Sequence, residues 1–206
     1  MDQSAEKSRK SPTQSRAQET VSTIFEATAQ LLERSGDSDI TTNHVAERAG
    51  FSIGTLYRYF SSKASLFNAM AIHEMERQER DILAALAESR ADRVEDIVRI
   101  LVRHALKPFA GRLKVRRRLL RHMAGNSTVP RRFDQMIERL TDALHEKILV
   151  QATDRGAEPG PEARFIMFRA AIGAIRAAVM FRDDMLARAA FEDELVAMIA
   201  SFYRRP

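Results

Sequence analysis

The sequence has 206 residues, of which 45% are hydrophobic and 30% charged, and it contains no cysteine. This length suffices for one medium or two small domains with a buried core, and the lack of cysteine excludes disulfides and thiolate metal sites. No stretch approaches about 18 consecutive apolar residues and residues 1–16 hold no apolar run, so we expect neither a membrane span nor a secretory signal, and a cytoplasmic location.

The formal net charge of +5 suits a nucleic-acid binder, but the distribution of charge is more informative. Residues 1–80 hold 10 basic and 11 acidic side chains and are close to neutral. The stretch from Ile97 to Phe133, called the basic segment below, holds 11 Lys or Arg and no Asp or Glu. Overall basicity therefore carries no argument for DNA binding.

Residues 1–16 are polar and basic, which predicts a disordered arm. Such an arm either touches DNA phosphates or serves only as a solubilising tail. The first helix is predicted over residues 17–35, and Gly36 ends it. Its apolar residues recur at helical spacing, at Val21, Ile24, Phe25, Thr28, Leu31 and Leu32.

Residues 41–63, TTNHVAERAGFSIGTLYRYFSSK, are predicted to form two short helices joined by a tight turn. Thr41 or Thr42 caps the first helix, Gly50 takes the left-handed conformation of the turn, and Ser52 caps the second. In the second helix one face is apolar and packs back onto the first, through Leu56 and Phe60 onto Val45 and Ala46.

The other face of the second helix carries Thr55, Tyr57, Arg58 and Tyr59. A helix this short is unstable alone, so its polar and aromatic face predicts a partner, and hydroxyls, phenols and a guanidinium suit phosphates and base edges. Gly54 lets the backbone approach a phosphate near the helix N-terminus. The alternative is a helical hairpin inside an ordinary bundle, with the two tyrosines as surface residues.

This stretch, continued to SSKASLF, resembles the N-terminal DNA-binding module of TetR-type transcriptional repressors over about residues 17–80. The resemblance implies that phosphates are held by Thr42, Ser52, Tyr57 and Lys63. It also implies that bases or the groove wall are faced by Ile53, Thr55, Arg58 and Tyr59. Beyond residue 81 the resemblance reduces to length and helical pattern.

The remaining chain shows helical periodicity throughout. A long helix from Ser61 or Ser62 passes from one apolar stripe to another across the charged run HEMERQERD, which predicts a domain boundary near residue 81. The predicted fold class is all-α, with about nine helices in total. A three-helix helix-turn-helix domain occupies residues 17–80, and a larger C-terminal helical bundle for ligand binding and dimerisation occupies residues 81–206.

The last two predicted helices, about residues 162–182 and 187–204, are rich in apolar and small residues, which indicates burial against a second copy. The expected dimer interface consists of Ala170, Gly173, Ala174, Ala177, Phe191, Leu195, Met198 and Phe202. A monomeric bundle with both helices at its centre is the alternative. We favour a homodimer on a pseudo-palindromic operator, because a helix-turn-helix normally reads two half-sites.

In the resembled family the ligand lies among the middle helices of the C-terminal domain. The corresponding residues here are Leu101, His104, Met123, Phe133, Met136, Ile137 and Phe168. The basic segment around them favours an anionic or amphipathic effector. Alternatively, its arginines face solvent, pair with Glu26 and Glu33, or contact phosphates, and His104 is a core histidine bonded to the backbone.

No phosphate loop, nucleophile elbow, HExxH or paired-cysteine pattern occurs, so we predict no catalytic residue, no metal and no cofactor. The leading hypothesis is a dimeric repressor of double-stranded DNA that a small molecule releases. A second hypothesis keeps the DNA-binding domain but gives the C-terminal domain only dimerisation or the docking of a protein partner. An all-helical enzyme is the third and least favoured hypothesis.

Overall fold

A computed structural model describes residues 12–35, 40–123 and 128–205, and these ranges are all-α, as predicted. They contain ten α-helices and one short 3-10 helix. The helix beyond the expected nine is the four-residue α9, Asp183–Leu186. The chain divides into two compact units between Leu66 and Phe67, whereas the sequence pattern placed the boundary near residue 81.

The first unit contains α1 (Pro12–Ser35), α2 (Thr42–Ala49) and α3 (Ile53–Tyr59). The expectation that residues 12–16 belong to a disordered arm is wrong, because α1 already begins at Pro12. Proline is well tolerated in the first turn of a helix, where its missing N–H would have no intrahelical partner. Residues 1–11 of the expected arm lie outside the described residues.

The core of the first unit forms where the apolar faces of these helices meet. The rings of Phe25 and Phe60 lie 5.7 Å apart, so the residue that ends α3 packs directly on α1. Thr28 is fully buried and its hydroxyl donates to the carbonyl of Ile24 at 2.7 Å, which satisfies a polar group inside the core. The buried apolar residues include Ile24, Phe25, Ala27, Ala29, Leu32, Ile40, Val45, Ala46, Leu56 and Phe60.

The turn between α2 and α3 is a Schellman motif centred on Gly50. The Gly50 N–H donates to the Glu47 carbonyl at 3.1 Å, and the Phe51 N–H donates to the Ala46 carbonyl at 2.9 Å. Gly50 has φ 73° and ψ 25°, which is the left-handed conformation. Among the described residues it is the only one with a positive φ. The predicted role of Gly50 is confirmed.

The second unit holds the rest of α4 (Lys63–Glu88) and all later elements. These are α5 (Val94–Leu106), a 3-10 helix (Lys107–Ala110), α6 (Leu113–Met123), α7 (Thr128–Gln151), α8 (Pro161–Phe181), α9 and α10 (Ala189–Tyr203). Helix α5 packs against both α10 and α7, because its buried residues Val94, Ile97, Val98, Leu101 and Val102 cover more than one side. The core of the second unit continues through α7 and α10.

The loop between α7 and α8 holds the end of α10. The Gly156 N–H donates to the Tyr203 carbonyl at 2.7 Å, and the Ala157 N–H donates to the Arg205 carbonyl at 2.8 Å. A Cβ at Gly156 would overlap the Arg205 carbonyl, so the backbones approach closely only because this residue is glycine. The neighbouring Asp154 accepts from the Val94 N–H at 2.8 Å and ties the same loop to the start of α5.

We expect Gly50→Ala to lower the free energy of unfolding by about 1 kcal/mol, because an L side chain is disfavoured at positive φ. The cause is conformational alone, since a Cβ at Gly50 would meet no other atom within 4 Å. Gly54→Ala is the matched control: it makes the same change inside α3, where alanine favours the helix. Urea denaturation of both variants checks this, and equal effects would contradict it.

Candidate functional site

Helix α2 is fixed at its start and along its side. The Thr41 hydroxyl accepts from the His44 N–H at 3.2 Å, which identifies Thr41 and not Thr42 as the N-cap. The Arg48 guanidinium donates twice to the Gln30 side-chain oxygen, at 2.9 and 2.6 Å, and Gln30 in turn donates to Glu26. This chain of contacts joins α2 to α1, and the spacing of these residues in the sequence does not reveal it.

Helix α3 is held at both ends. The Ser52 hydroxyl accepts from the Thr55 N–H at 3.1 Å and lies 2.9 Å from the Thr55 hydroxyl. At the other end the Phe60 N–H donates to the Leu56 carbonyl, and Leu56 is fully buried. Ser52 is therefore the N-cap, as predicted, and the Thr55 hydroxyl is engaged inside that cap.

The face of α3 opposite Leu56 is open. Tyr57 is 49% and Ile53 37% exposed, and Arg58 is exposed with no ion-pair partner among the described residues. Nine residues were predicted to contact DNA, and the structure places them on α2, on α3 and its N-cap, and at the first residue of α4. Those exposed are Ser52, Ile53, Gly54, Tyr57 and Arg58, and those half-buried are Thr42, Thr55, Tyr59 and Lys63.

One contact joins two of the predicted phosphate-binding residues. The Thr42 hydroxyl lies 3.1 Å from the Tyr57 hydroxyl, across the turn between α2 and α3. Each hydroxyl has one proton and further lone pairs, so the pair retains a proton that can be donated to an outside acceptor. The sequence identified both residues but not that they form one unit.

The start of α4 carries a cap that the sequence analysis missed. The Ser65 N–H donates to the Ser62 hydroxyl at 3.1 Å, and the Ser62 N–H donates to the Ser65 hydroxyl at 2.9 Å. This reciprocal pair is the arrangement of a capping box, with serine at the position usually held by Glu or Gln. It fixes the helix turn from which Lys63 projects, and the Ser-x-x-Ser spacing was the available signal.

The residues predicted to bind an effector do not line one cavity among the described residues. Leu101, Ile137 and Phe168 line an apolar cavity of about 60 Å³, which is too small for a typical ligand. Met136 instead lines a groove of about 350 Å³ between α4 and α7, and Phe133 lines a cleft of about 610 Å³ between α7 and α8. Neighbouring side chains such as those at 136 and 137 diverge by about 100° around a helix.

His104 and Met123 are the two remaining residues that were predicted to bind an effector. The Nδ1 atom of His104 lies 2.9 Å from the Ile100 carbonyl, so this nitrogen carries the proton and donates within its own helix. This contact agrees with the alternative of a histidine bonded to the backbone. The side chain of Met123 lies outside the part of the chain that the structure describes.

Five of the eleven basic residues of the basic segment form ion pairs with carboxylates of helices distant in sequence. Arg99 and Arg103 pair with Glu192 at 3.1 and 2.8 Å, Arg117 pairs with Asp183 at 3.0 Å, and Arg132 pairs with Glu76 at 3.2 Å; Arg116 pairs with Glu74. The carboxylates belong to α4, α9 and α10. The segment itself contains no carboxylate, but carboxylates distant in sequence lie beside it in space. This weakens the argument that its charge favours an anionic effector.

The pair between Arg116 and Glu74 is the least exposed of these. Burial of Glu74 favours its neutral form, but the guanidinium groups of Arg116 and Arg77 outweigh this and hold the pKa of Glu74 below its ordinary value of 4.5. Burial also lowers the pKa of Arg116, although Glu74 opposes that shift. Both side chains remain charged at neutral pH and bind each other in a partly dry environment.

The expected dimer interface is only partly free. Ala170, Gly173 and Ala177 are exposed on α8, with the large side chains of Phe165, Ile166 and Phe181 beside them, and Ala174, Phe191, Met198 and Phe202 are half-buried. The prediction that Leu195 lies in the dimer interface is wrong, because this side chain is 4% exposed and packs in the core of its own chain. Helix α10 turns the face containing Leu195 and Ile199 toward α5, which leaves Leu195 unavailable to a second copy.

Within residues 12–35, 40–123 and 128–205, none of the helices has the length and hydrophobicity that a membrane span needs. No group of three or more His, Asp or Glu side chains in the same ranges is arranged to hold a metal ion.

Residues 24–70 match the sequence profile described as bacterial regulatory proteins, tetR family. The match begins in α1, contains α2 and α3, and ends in α4. It therefore covers every residue for which a DNA contact was predicted.

Comparison with individual proteins agrees with this match. The chain is 27% identical over 160 residues to the nucleoid occlusion factor SlmA of Marinomonas sp., covering 70% of this chain and 75% of that protein. It is 43% identical over 54 residues to the transcriptional repressor KstR of Rhodococcus jostii, covering 26% of each. The crystal structure of a TetR-family transcriptional regulator from Streptomyces coelicolor superposes with a TM-score of 0.61 at 21% identity, covering 89% of this chain and 96% of that one.

We expect Arg116→Met to lower the free energy of unfolding by about 2 kcal/mol at neutral pH, because it leaves a poorly hydrated Glu74 with one guanidinium instead of two. A carboxylate with a depressed pKa stabilises the fold above its unfolded pKa, and this contribution is lost as the pH falls through the folded pKa. The difference between wild type and variant should therefore shrink below pH 4.5. Urea denaturation across this range measures it.

Arg132→Met is the matched control, since its pair with Glu76 is about half exposed on both sides. Exposed pairs contribute little, so this variant should differ from wild type by less than about 1 kcal/mol at any pH. An equal loss in the two variants would show that burial of the Arg116 pair has no special role.

Proposed function

We propose that this chain, whose residues 24–70 match the TetR family of bacterial regulatory proteins, is a dimeric cytoplasmic repressor that a small molecule releases from double-stranded DNA. Proteins of this family are DNA-binding transcriptional regulators and not enzymes, so the hypothesis of an all-helical enzyme is set aside. The observation that carries the proposal is the open face of α3, held in place by caps at both ends.

The geometry of this face supports a role for each of its exposed residues. Tyr57 and Thr42 share a hydrogen bond and present hydroxyls together, which suits a phosphate oxygen. Ile53 and Arg58 are exposed on α3 and suit the wall and base edges of the major groove, where a guanidinium binds guanine with two hydrogen bonds. Lys63 adds a cation at the start of α4.

Dimerisation is supported by the exposed stripe of α8. Apolar residues recur on it at Ile166, Ala170, Gly173, Ala177 and Phe181, a spacing of three and four residues that keeps them on one side of the helix. Small residues flanked by large exposed apolar ones allow two helices to approach closely and to bury the flanking side chains. A two-fold dimer would present two copies of α3 to a pseudo-palindromic operator.

A second candidate keeps DNA binding and dimerisation but has no small-molecule effector, its C-terminal unit docking a protein partner instead. The interior cavity of only about 60 Å³ favours it, as does the similarity to a protein named nucleoid occlusion factor. The two candidates differ in one measurement. A metabolite panel tested for release of the protein from its operator in a gel-shift assay yields an active compound only if the first candidate holds.

We expect Tyr57→Phe to weaken binding to the operator and to random DNA by the same factor, about tenfold, because a phosphate contact carries no base information. Thr42→Val should have a similar effect. The double variant should be little weaker than either single variant, because the two hydroxyls act as one unit. Fluorescence anisotropy with both DNAs measures the affinities of the wild type, the two single variants and the double variant. Additive losses of affinity, or a change in sequence preference, would contradict the phosphate contact assigned to the two hydroxyls.

Lys63→Ala should reduce the magnitude of the slope of log affinity against log salt concentration by about one unit per subunit, because one fewer counterion is released. Arg90→Ala removes an exposed cation of the second unit and serves as the control, with an unchanged slope. Titrations at several salt concentrations decide the matter, and equal slopes for Lys63→Ala and wild type would remove Lys63 from the interface.

Ala170→Arg should convert the dimer to a monomer, because it places a charge within the small-residue stripe on α8. Ala84→Arg, which changes an equally small exposed residue of α4, should leave the dimer intact. Light scattering reports the mass and circular dichroism the folding of each variant. A wild-type monomer that still protects one asymmetric DNA site would overturn the dimer proposal.

A further inference from the structure

The cleft between α7 and α8 has the size of a ligand site. Its volume is about 610 Å³, within the range of about 300 to 1,000 Å³ that small-molecule pockets occupy. It lies between the start of α7 and the second half of α8. None of the residues predicted from the sequence to bind an effector lines it except Phe133.

The walls of this cleft are mainly apolar. Phe133, Ile172 and Met180 are only half-buried, and Phe181 is 79% exposed. A Cβ built on Gly173 would have no atom within 4 Å, so the cleft is open at its middle as well as at its end. Apolar surface left in contact with water gains free energy when an apolar molecule covers it.

The charges of the cleft favour an anion. It is lined by one carboxylate, Asp134, and by two guanidinium groups, Arg169 and Arg176. Asp134 is bound by Arg169 at 2.7 Å, so these two charges compensate each other. Arg176 has no ion-pair partner among the described residues, which leaves one uncompensated positive charge beside an apolar wall.

We propose that the cleft between α7 and α8 binds a hydrophobic carboxylate, with the anion at Arg176 and the apolar body on Phe133, Ile172 and Met180. This inference rests on the proposed function in naming that molecule as the effector. Arg176 lies outside the basic segment. The preference of the cleft for an anion therefore depends on an arginine other than those from which the sequence analysis argued. Gly173, Ala177 and Phe181 line the cleft and also lie on the exposed stripe of α8, so bound ligand and a second copy would meet there.

Isothermal titration of the 206-residue chain without DNA tests the site, with hexanoate, decanoate, decanol and decylammonium as probes. Decanoate should bind most tightly. Affinity should rise from hexanoate to decanoate by roughly threefold to fourfold per methylene that becomes buried. Decanol should bind at least about tenfold more weakly than decanoate, and decylammonium more weakly still, because each lacks the charge that Arg176 attracts.

Arg176→Gln should weaken decanoate binding about tenfold, and Arg176→Lys should retain most of the affinity. Arg155→Gln, which removes an exposed arginine of the loop between α7 and α8, is the control and should bind as wild type. Equal affinities for the three ten-carbon probes, or an unchanged affinity in Arg176→Gln, would overturn the proposal. So would binding to the Ala170→Arg monomer but not to the wild-type dimer, because a second copy would then fill the cleft.

A gel-shift assay with the operator separates this inference from the proposed function. If decanoate binds with the expected dependence on Arg176 but does not release the DNA, the site stands and ligand-controlled repression fails. If an unrelated compound releases the DNA while no carboxylate binds, repression stands and the site in this cleft fails.

Discussion

A seven-residue helix forms too few internal hydrogen bonds to persist in water, so α3 depends entirely on what holds it. The Ser52 hydroxyl satisfies one free N–H at its start, the Schellman turn at Gly50 sets its direction, and the burial of Leu56 and Phe60 anchors its inner face. Each of these contacts is local in sequence except the packing of Phe60 on Phe25. The exposed side chains of Ile53 and Arg58 lie outside these anchoring contacts, which leaves them free to contact a partner.

The second unit follows a different rule, in which charged side chains far apart in sequence compensate one another. Arginines of α5, α6 and α7 find their carboxylates on α4, α9 and α10. Arg139 adds to this set, since it binds the nearly buried Glu79 with two hydrogen bonds, one of 2.9 Å. The half-exposed members contribute little to stability individually, but together they compensate part of the positive charge of the basic segment.

What could be predicted from the sequence follows this division. The caps at Ser52 and Gly50, the buried pair Leu56 and Phe60 and the all-α fold depend on residues a few positions apart, and they were predicted correctly. The contact between Thr42 and Tyr57 needed the crossing of α2 and α3, which no spacing specifies.

The C-terminal unit was less predictable, because helical periodicity shows that a face is apolar but not what covers it. Leu195 shares its periodicity with Phe202, yet α5 covers one and leaves the other half-buried. The cavity of about 60 Å³ and the cleft of about 610 Å³ both depend on how α7 and α8 are rotated, which follows from packing alone. The residues that line the cavity and the cleft could therefore not be predicted from the sequence pattern.

The close approach at Gly156 has a consequence for how this sequence can drift. Any side chain there would collide with main-chain atoms of Arg205, and main chain cannot move aside as a flexible side chain can. Gene duplicates and close descendants should therefore keep glycine at this position while neighbouring exposed positions of the loop, such as Arg155, vary freely. A lineage in which Gly156 has been replaced would be expected to have rebuilt the last turn of α10 as well.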